Sequence, residues 1–438
     1  MTEAESLLSL VRKLYPFNWG IVGSGSHEGN CVLQSLLPFV VHEWESGDEV
    51  NGWLVPKEVR INNFTIEENN QTILDGRESP LHVPSSATSF SGTVGLPELR
   101  EHLLTDPRRP TAVPWAWQGP YRPDEPSEWL ISASHNFLNA LTGKRFRVDL
   151  DVESVPSSMQ VCEYTLPGET DETILLNAHN CHPYQANDDV SGIAVGIAVM
   201  NRLRQESNRR LTYTLLIAPE ITGPVFWMEH RKRPSRISGA IMLKSLGNPA
   251  PLKLQDAFDS QSLVNRSAHY AFSERYRNYV SGPFRGIYGN DETVFEAPPF
   301  RIPSISATRW PFPEYHTDLD KPERLSEEHL RDAANVVFRI CELLEMGGHV
   351  YPAGRGLHSL SRHGLYRSLP MGDGLTSADY ASEEGRWHRL MNTLPSHFGD
   401  TFDLLSIAQE FDLPPDEVHD YVKRWIEVGL ASKQHSEE

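Results

Sequence analysis

A segment of ten residues, 179–188, concentrates side chains that can bind a metal ion. It contains His179, His182 and Asp188, and it directly follows the apolar run 173–178, which predicts a buried strand. Open α/β sheets bind ligands beyond the carboxyl ends of their strands. The pattern therefore predicts a metal site, although an aspartate that precedes a helix is more often an N-cap than a metal ligand.

A second cluster of similar chemistry, residues 313–320, lies far along the chain and contains His316. Zinc sites combine ligands from separated segments that the fold brings together. Between the two clusters, Glu220 follows the apolar run 215–218, which predicts another strand end. There Glu220 could act as a general base, although a solvated carboxylate after a strand is the simpler interpretation.

Six short motifs follow one another along the chain: Ala-His at the end of an apolar strand, Asn-Asp-Asp-x-Ser-Gly, Ala-Pro-Glu-Ile-Thr-Gly, Gly-Ala-Ile-Met-Leu-Lys-Ser-Leu-Gly, Gly-Asn-Asp-Glu-Thr-Val-Phe and Tyr-His-Thr-x-x-Asp. In this order they resemble the zinc aminopeptidase and glutamate carboxypeptidase family. More closely, the chain is similar to bacterial aminopeptidase-like proteins, often linked to polysaccharide biosynthesis, that carry an inserted domain and a C-terminal winged helix. The resemblance spans nearly the whole chain.

The resemblance assigns a role to four residues. His179 falls on the first metal histidine of the family, Asp188 on the aspartate that bridges two zinc ions, Glu220 on the general base and His316 on the last metal histidine. These assignments imply a metallohydrolase in which Glu220 takes a proton from water and passes it to the leaving amine.

Three positions depart from the family pattern. Cys181 stands in place of an aspartate, Ile221 in place of a metal-binding glutamate and Lys244 in place of a second aspartate. The last two changes remove two negative charges and put a lysine where a second cation would lie, which disfavours a two-zinc site. We expect one Zn²⁺ per chain.

The expected zinc ligands are His182, Asp188 and His316. His179 is either a partner of these ligands or a competing ligand. Three protein ligands leave the fourth position to water, as catalytic zinc requires. A structural zinc closed by four protein ligands is the alternative, and Cys181 makes it feasible.

Four residues are candidates for substrate binding. Lys244 could bind a substrate carboxylate or pair with Asp188 or Asp291. Asp291 and Glu292 could hold a substrate ammonium group, although an acidic loop is equally typical of an ordinary turn. Tyr315, beside the last metal histidine, is the fourth candidate.

Together with the resemblance, composition predicts an α/β protein with three domains and a linker. A doubly wound, mostly parallel sheet of the zinc aminopeptidase type is expected from residues 1–47 and 150–349. Residues 48–149 predict an inserted β-rich domain, 350–383 a linker and 384–438 a winged-helix domain. Aromatic residues of the insertion could wall the cleft: Trp115, Trp117, Tyr121 and Trp129.

Charge excludes several partners. The 438 residues have a net charge of −19, which disfavours nucleic acid and anionic membranes. From Glu384 onward, five basic residues stand against eleven acidic ones, so the winged-helix segment should repel DNA. Its expected role is packing, homo-oligomer contact or shaping of the cleft. Reduced cysteines and the lack of a membrane span or secretion signal predict a cytoplasmic protein.

The expected function is that of a zinc-dependent, aminopeptidase-like hydrolase with a single metal ion. Its substrate would be an amide bond near a free amino group, in a peptide or an aminoacylated small molecule. One alternative is a single-zinc acyl transferase that resembles glutaminyl cyclase. The other is a binding protein whose site has lost turnover.

Overall fold

The computed structural model describes residues 6–85, 87–116, 128–231, 236–367, 381–400 and 402–433. The chain divides into two compact units, Met1–Phe338 and Arg339–Glu438. Each unit is compact by itself. None of the helices within the described ranges combines the length and apolar character that a membrane span needs.

The strands of the first unit are β1 (Val40–Glu45), β2 (Glu49–Val50), β3 (Trp53–Leu54), β4 (Glu58–Glu68), β5 (Gln71–Asp75), β6 (Phe90–Gly95), β7 (Leu103–Leu104), β8 (Ile131–Ser132), β9 (Arg145–Val155), β10 (Ser158–Leu166), β11 (Thr173–His179), β12 (Thr212–Ala218), β13 (Ile237–Lys244), β14 (Lys253–Gln255), β15 (Val280–Gly282) and β16 (Ser304–Thr308). Its helices are α1 (Leu7–Leu14), α2 (Ser24–Leu36), α3 (Leu96–Glu101), α4 (His135–Ala140), α5 (Ser191–Leu203), α6 (Thr222–His230), α7 (Leu263–Arg275) and α8 (Glu292–Phe295), while α9 (Glu327–Glu345) crosses the boundary between the units.

Within the described residues, the largest sheet has eight strands in the order β1-β10-β12-β11-β13-β16-β14-β15. Its centre is parallel, because β11 pairs in parallel with β12 and β13, and β13 with β16. The pairs β1 with β10, β10 with β12 and β14 with β16 are antiparallel. The predicted α/β class with a mostly parallel central sheet is confirmed.

The central strands are apolar because both faces of the sheet are covered. Every residue of β11 is buried, and α5 packs across β11, β12 and β13. Gly192 in the first turn of α5 permits this close packing, since a Cβ there would clash with the backbone oxygen of Leu243. The start of α5 therefore lies directly against the end of β13.

A second sheet occupies much of the stretch that the sequence predicts to be β-rich. Strands β5, β4, β9 and β6 form it in that order, and the three pairings are antiparallel. Its apolar residues form a separate core, which includes Phe64, Ile66, Phe146 and Val148. The domain boundaries themselves stay a prediction.

The second unit is mainly helical. It contains α10 (Glu383–Thr393), α11 (Leu404–Glu410) and α12 (Pro415–Glu427), and a short strand pair formed by β17 (Tyr351–Pro352) and β18 (Ala431–Ser432). Val350 and Leu365, from the predicted linker, join the apolar core of these helices. The winged-helix assignment stays a prediction.

Candidate metal centre and active site

Adjacent strand ends bring the polar residues of the sequence motifs to one edge of the central sheet. His179 is the last residue of β11 and Lys244 the last of β13, while Glu220 follows β12 by two residues. Because these three strands are parallel neighbours, their carboxyl ends lie side by side. Asp188 reaches the same edge from the turn before α5.

The predicted ligands His182, Asp188 and His316 come together, with one ligand atom of each within 4.8 Å of the others. Oδ2 of Asp188 lies 3.1 Å from Nε2 of His316 and 3.9 Å from Nε2 of His182. Burial lowers the pKa of His182 well below its usual value and lowers that of His316. Both imidazoles are therefore neutral and offer a lone pair, as metal ligation requires.

Two imidazoles and one carboxylate form a donor set that fits zinc. A second group that could hold a metal ion overlaps the first and consists of His179, Cys181, His182 and Glu220. His182 belongs to both groups. The distances within the second group are compatible with the predicted alternative, a zinc site with four protein ligands that include Cys181.

The other oxygen of Asp188 faces a lysine. Nζ of Lys244 lies 2.9 Å from Oδ1 of Asp188 and 2.7 Å from Nε2 of His179. His179 Nε2 is itself 3.2 Å from the same carboxylate oxygen. Burial alone would raise the pKa of Asp188, but the Lys244 ammonium holds it well below its usual value. Oδ1 of Asp188 therefore faces Lys244 and His179, while Oδ2 faces His316 and His182.

Two further carboxyl groups hold the backbone around Asp188, and sequence reasoning assigned them no role. Asp320 accepts hydrogen bonds from the backbone N–H groups of Asn187 at 2.8 Å and Asp188 at 3.1 Å. Asp189 accepts from the backbone N–H of Ser245 at 3.0 Å, and burial raises its pKa to about 7. The peptide bond between Asp188 and Asp189 is cis. These contacts tie the turn to β13 and to the segment that carries His316.

Glu220 stands at the wall of a pocket of about 340 Å³. Its Oε2 lies 3.7 Å from Nε2 of His182. The pocket is lined by Glu220, Ile221, Arg285, Tyr288, Gly289, Asn290, Tyr315 and His316. A substrate in this space would contact Glu220 and His316 together.

Ile221, which replaces the metal-binding glutamate of the family pattern, has a left-handed backbone with φ of 62°. This conformation is a steric outlier for a β-branched residue. Its N–H donates to Oδ1 of Asp291 at 2.6 Å, which compensates part of the strain and holds the adjacent Glu220 in position. Burial raises the pKa of Asp291 to about 8.

The predicted substrate-binding residues separate into two groups. Tyr315 lines the pocket, its ring stacks on His316 at 3.6 Å, and its hydroxyl lies 2.8 Å from that of Tyr288. Lys244, Asp291 and Glu292 are buried behind the pocket wall. Sequence reasoning missed Arg285, Tyr288 and Asn290 as lining residues. The turn-prone run Tyr288-Gly289-Asn290 before the acidic pair is the signal that could have indicated them.

One residue of the predicted aromatic wall lies beside two of the predicted zinc ligands. The Trp115 ring lies edge-on to His182 at 4.6 Å and to His316 at 4.8 Å, and its backbone N–H donates to the oxygen of His316 at 2.8 Å. Trp129 instead packs in the core of the second sheet. Trp117 and Tyr121 lie outside the described residues.

Solved structures define the class of this fold. The zinc aminopeptidase from Bacillus subtilis superposes with a TM-score of 0.57 at 15% sequence identity, over 76% of this chain and 93% of that chain. A provisionally assigned peptidase from Clostridium acetobutylicum gives a TM-score of 0.80 at 21% identity, over 97% of this chain and 95% of the other. The fold is that of the zinc aminopeptidases, which confirms the predicted resemblance.

The chain belongs to the family described as domain of unknown function DUF4910, whose sequence model matches residues 8–347. A relative from Clostridium acetobutylicum is 26% identical over 388 residues, which cover 86% of each protein. That relative is described provisionally as a polysaccharide biosynthesis protein with an aminopeptidase-like domain.

Proposed function

We propose that this protein is a single-zinc hydrolase of the aminopeptidase type, which cleaves an amide bond near a free amino group of a peptide or an aminoacylated small molecule. One observation carries the proposal: His182, Asp188 and His316 form a group able to hold a metal ion, and Glu220 lines the same pocket as His316. A trio of protein ligands with an adjacent carboxylate is the usual composition of a catalytic zinc site.

His182, Asp188 and His316 would hold the ion. When bound, zinc supplies a Lewis acid for the substrate carbonyl and acidifies water. Glu220 accepts the proton of the attacking water on a carboxylate oxygen and returns it to the nitrogen of the leaving amine. The amide C–N bond breaks while a C–O bond forms, so the products are a carboxylic acid and an amine.

The position of Lys244 favours one metal ion over two. Its ammonium group contacts Oδ1 of Asp188 and Nε2 of His179, to which the family resemblance assigns the roles of bridging aspartate and first metal histidine. A second divalent cation there would be repelled by the lysine, and neither Ile221 nor Lys244 supplies the acidic ligands that it would need. His179 thereby serves as a partner of the lysine, while His182 completes the zinc group.

The pocket accommodates a small group of the substrate. A volume of about 340 Å³ is near the lower end of the range for small-molecule sites. An aminoacyl group with a small leaving group suits this space.

The test combines metal analysis with a panel of aminoacyl amides and short peptides. Zinc-loaded protein should hydrolyse at least one member, and Glu220→Gln should keep zinc but lose turnover. Glu229→Gln, at an exposed glutamate, is the matched control and should stay active. Products formed by loss of ammonia without addition of water would instead identify a cyclase, and binding without any product would identify a binding protein.

A further inference from the structure

A cationic side chain that the mechanism does not use reaches the candidate pocket from the loop after β15. Arg285 lines the pocket together with Glu220, Tyr315 and His316. Its side chain is 45% exposed, so the guanidinium group is accessible to a ligand that enters. Lys244, another cation near the site, is only 1% exposed and contacts Asp188 and His179 instead.

The position of the guanidinium depends on a glycine in the same loop. A Cβ at Gly289 would overlap with Nη2 and Cζ of Arg285. Any side chain at position 289 would therefore displace the guanidinium. Because the arginine side chain is flexible, it could move without a shift of the backbone. Because Gly289 has no Cβ, the guanidinium can lie against the wall of the pocket.

Behind this wall, one buried carboxyl group lies within ion-pair distance of Arg285. Its Nη1 lies 3.6 Å from Oε1 of Glu292, which is longer than a hydrogen bond. That oxygen already accepts the backbone N–H of Asn290 at 2.9 Å. Because 45% of the Arg285 side chain is exposed, its guanidinium can still be approached by an anionic group from the pocket.

We propose that Arg285 binds a carboxylate of the substrate, so that this site prefers amide substrates that carry a carboxylate close to the scissile bond. A planar guanidinium matches a carboxylate with two parallel hydrogen bonds. The inference rests on the proposed function and names its substrate class. The carboxylate belongs either to the side chain of the amino-terminal residue or to the leaving part, and both are short enough for a pocket of about 340 Å³.

Calorimetry with two matched pairs of compounds tests the inference. L-aspartyl α-amide is compared with L-asparaginamide, and L-alanylglycine with L-alanylglycinamide. Full-length, zinc-loaded Glu220→Gln protein serves as the background, in which turnover does not consume the compounds. In at least one pair, the carboxylate compound should bind about tenfold more tightly than its amide, as a charge-assisted pair in a half-exposed site allows. The pair that shows the difference identifies which carboxylate is recognised.

Two variants should remove this preference, and one should keep it. Arg285→Gln deletes the guanidinium and Gly289→Ala displaces it, so each should bring the affinity ratio close to one at unchanged zinc content. Arg277→Gln, at another exposed arginine of the same unit, should keep the ratio. Equal affinity within both pairs, or a preference that survives Arg285→Gln, would overturn the inference.

The inference and the proposed function fail separately. Hydrolysis of neutral amides by the wild-type protein without any carboxylate preference would overturn the role of Arg285 alone. Carboxylate binding that depends on Arg285, without hydrolysis of any compound in the panel, would support the anion site and overturn the hydrolase.

Discussion

Lys244 and Asp188 form a fully buried ion pair, with Nζ of the lysine 2.9 Å from Oδ1 of the aspartate. The lysine satisfies one oxygen of the carboxylate and leaves Oδ2 on the side of His316 and His182. The family resemblance assigns to Asp188 the role of bridging two zinc ions, and here one of its oxygens faces a lysine instead. Four consequences of the structure can be measured.

The first concerns the metal count. Wild-type protein should bind close to one zinc ion per chain, and the double variant Lys244→Asp with Ile221→Glu should bind two, because it restores the missing acidic ligands. Elemental analysis after removal of excess zinc gives the count. Lys57→Asp, at an exposed lysine, should remain at one. Two tightly held zinc ions in the wild type would disprove the single-metal assignment.

The second prediction distinguishes the zinc-binding histidines from His179. His182→Ala, Asp188→Ala and His316→Ala should each abolish zinc binding, since each removes one of three ligands. His179→Ala should keep most of the zinc, because His179 contacts Lys244. Zinc titration monitored by calorimetry measures the affinities. His82→Ala, at a buried histidine in another part of the unit, is the control. If His179→Ala lost zinc and His182→Ala kept it, His179 rather than His182 would be the zinc ligand.

The third is a dependence of stability on pH. Burial raises the pKa of Asp291 to about 8 in the folded protein, against about 3.9 in the unfolded chain. The folded state therefore binds the proton more tightly, and the associated stability, complete below about pH 4, is lost as the pH rises through about 8. The Asp291→Asn variant has no titrating group at this position, so it should not lose this stability as the pH rises. Its side-chain oxygen can still accept a hydrogen bond from the N–H of Ile221.

Thermal denaturation of the metal-free proteins near pH 6 and near pH 9 measures the effect. The melting temperature of the wild type should fall more between these values than that of Asp291→Asn. Asp151→Asn, at an exposed aspartate, should follow the wild type. Parallel curves for wild type and Asp291→Asn would show that Asp291 is ionised in the folded protein throughout.

The fourth concerns nucleic acid. The full-length chain should not bind DNA, because its C-terminal segment from Glu384 has a net charge of −6. The adjacent cations on α12 are engaged locally, since Lys423 contacts Asp420 at 3.4 Å and Arg424 donates to the backbone oxygen of Gly364. Gel-shift assays at low salt with random duplexes provide the measurement. Salt-sensitive binding at micromolar concentration would contradict this prediction.

The sequence by itself determined the fold class and the identity of the polar residues near the strand ends. Apolar runs before His179 and Glu220 predict strands, and parallel strands bring their carboxyl ends to one edge of a sheet. The motif order indicated that His179, Asp188 and His316 would come together, and the expectation that His182 joins Asp188 and His316 rested on its place three residues after His179. The replacement of an aspartate by Lys244 was equally visible in the sequence.

Only the tertiary structure decided how these side chains divide their contacts. Lys244 faces one oxygen of Asp188 and thereby associates His179 with the lysine, which no spacing along the chain specifies. Arg285 and Asp320 approach the site from loops whose backbone direction follows from packing. Distances, burial and the local charge depend on residues far apart in sequence, so the contacts around Asp188 could not be predicted before the fold was known.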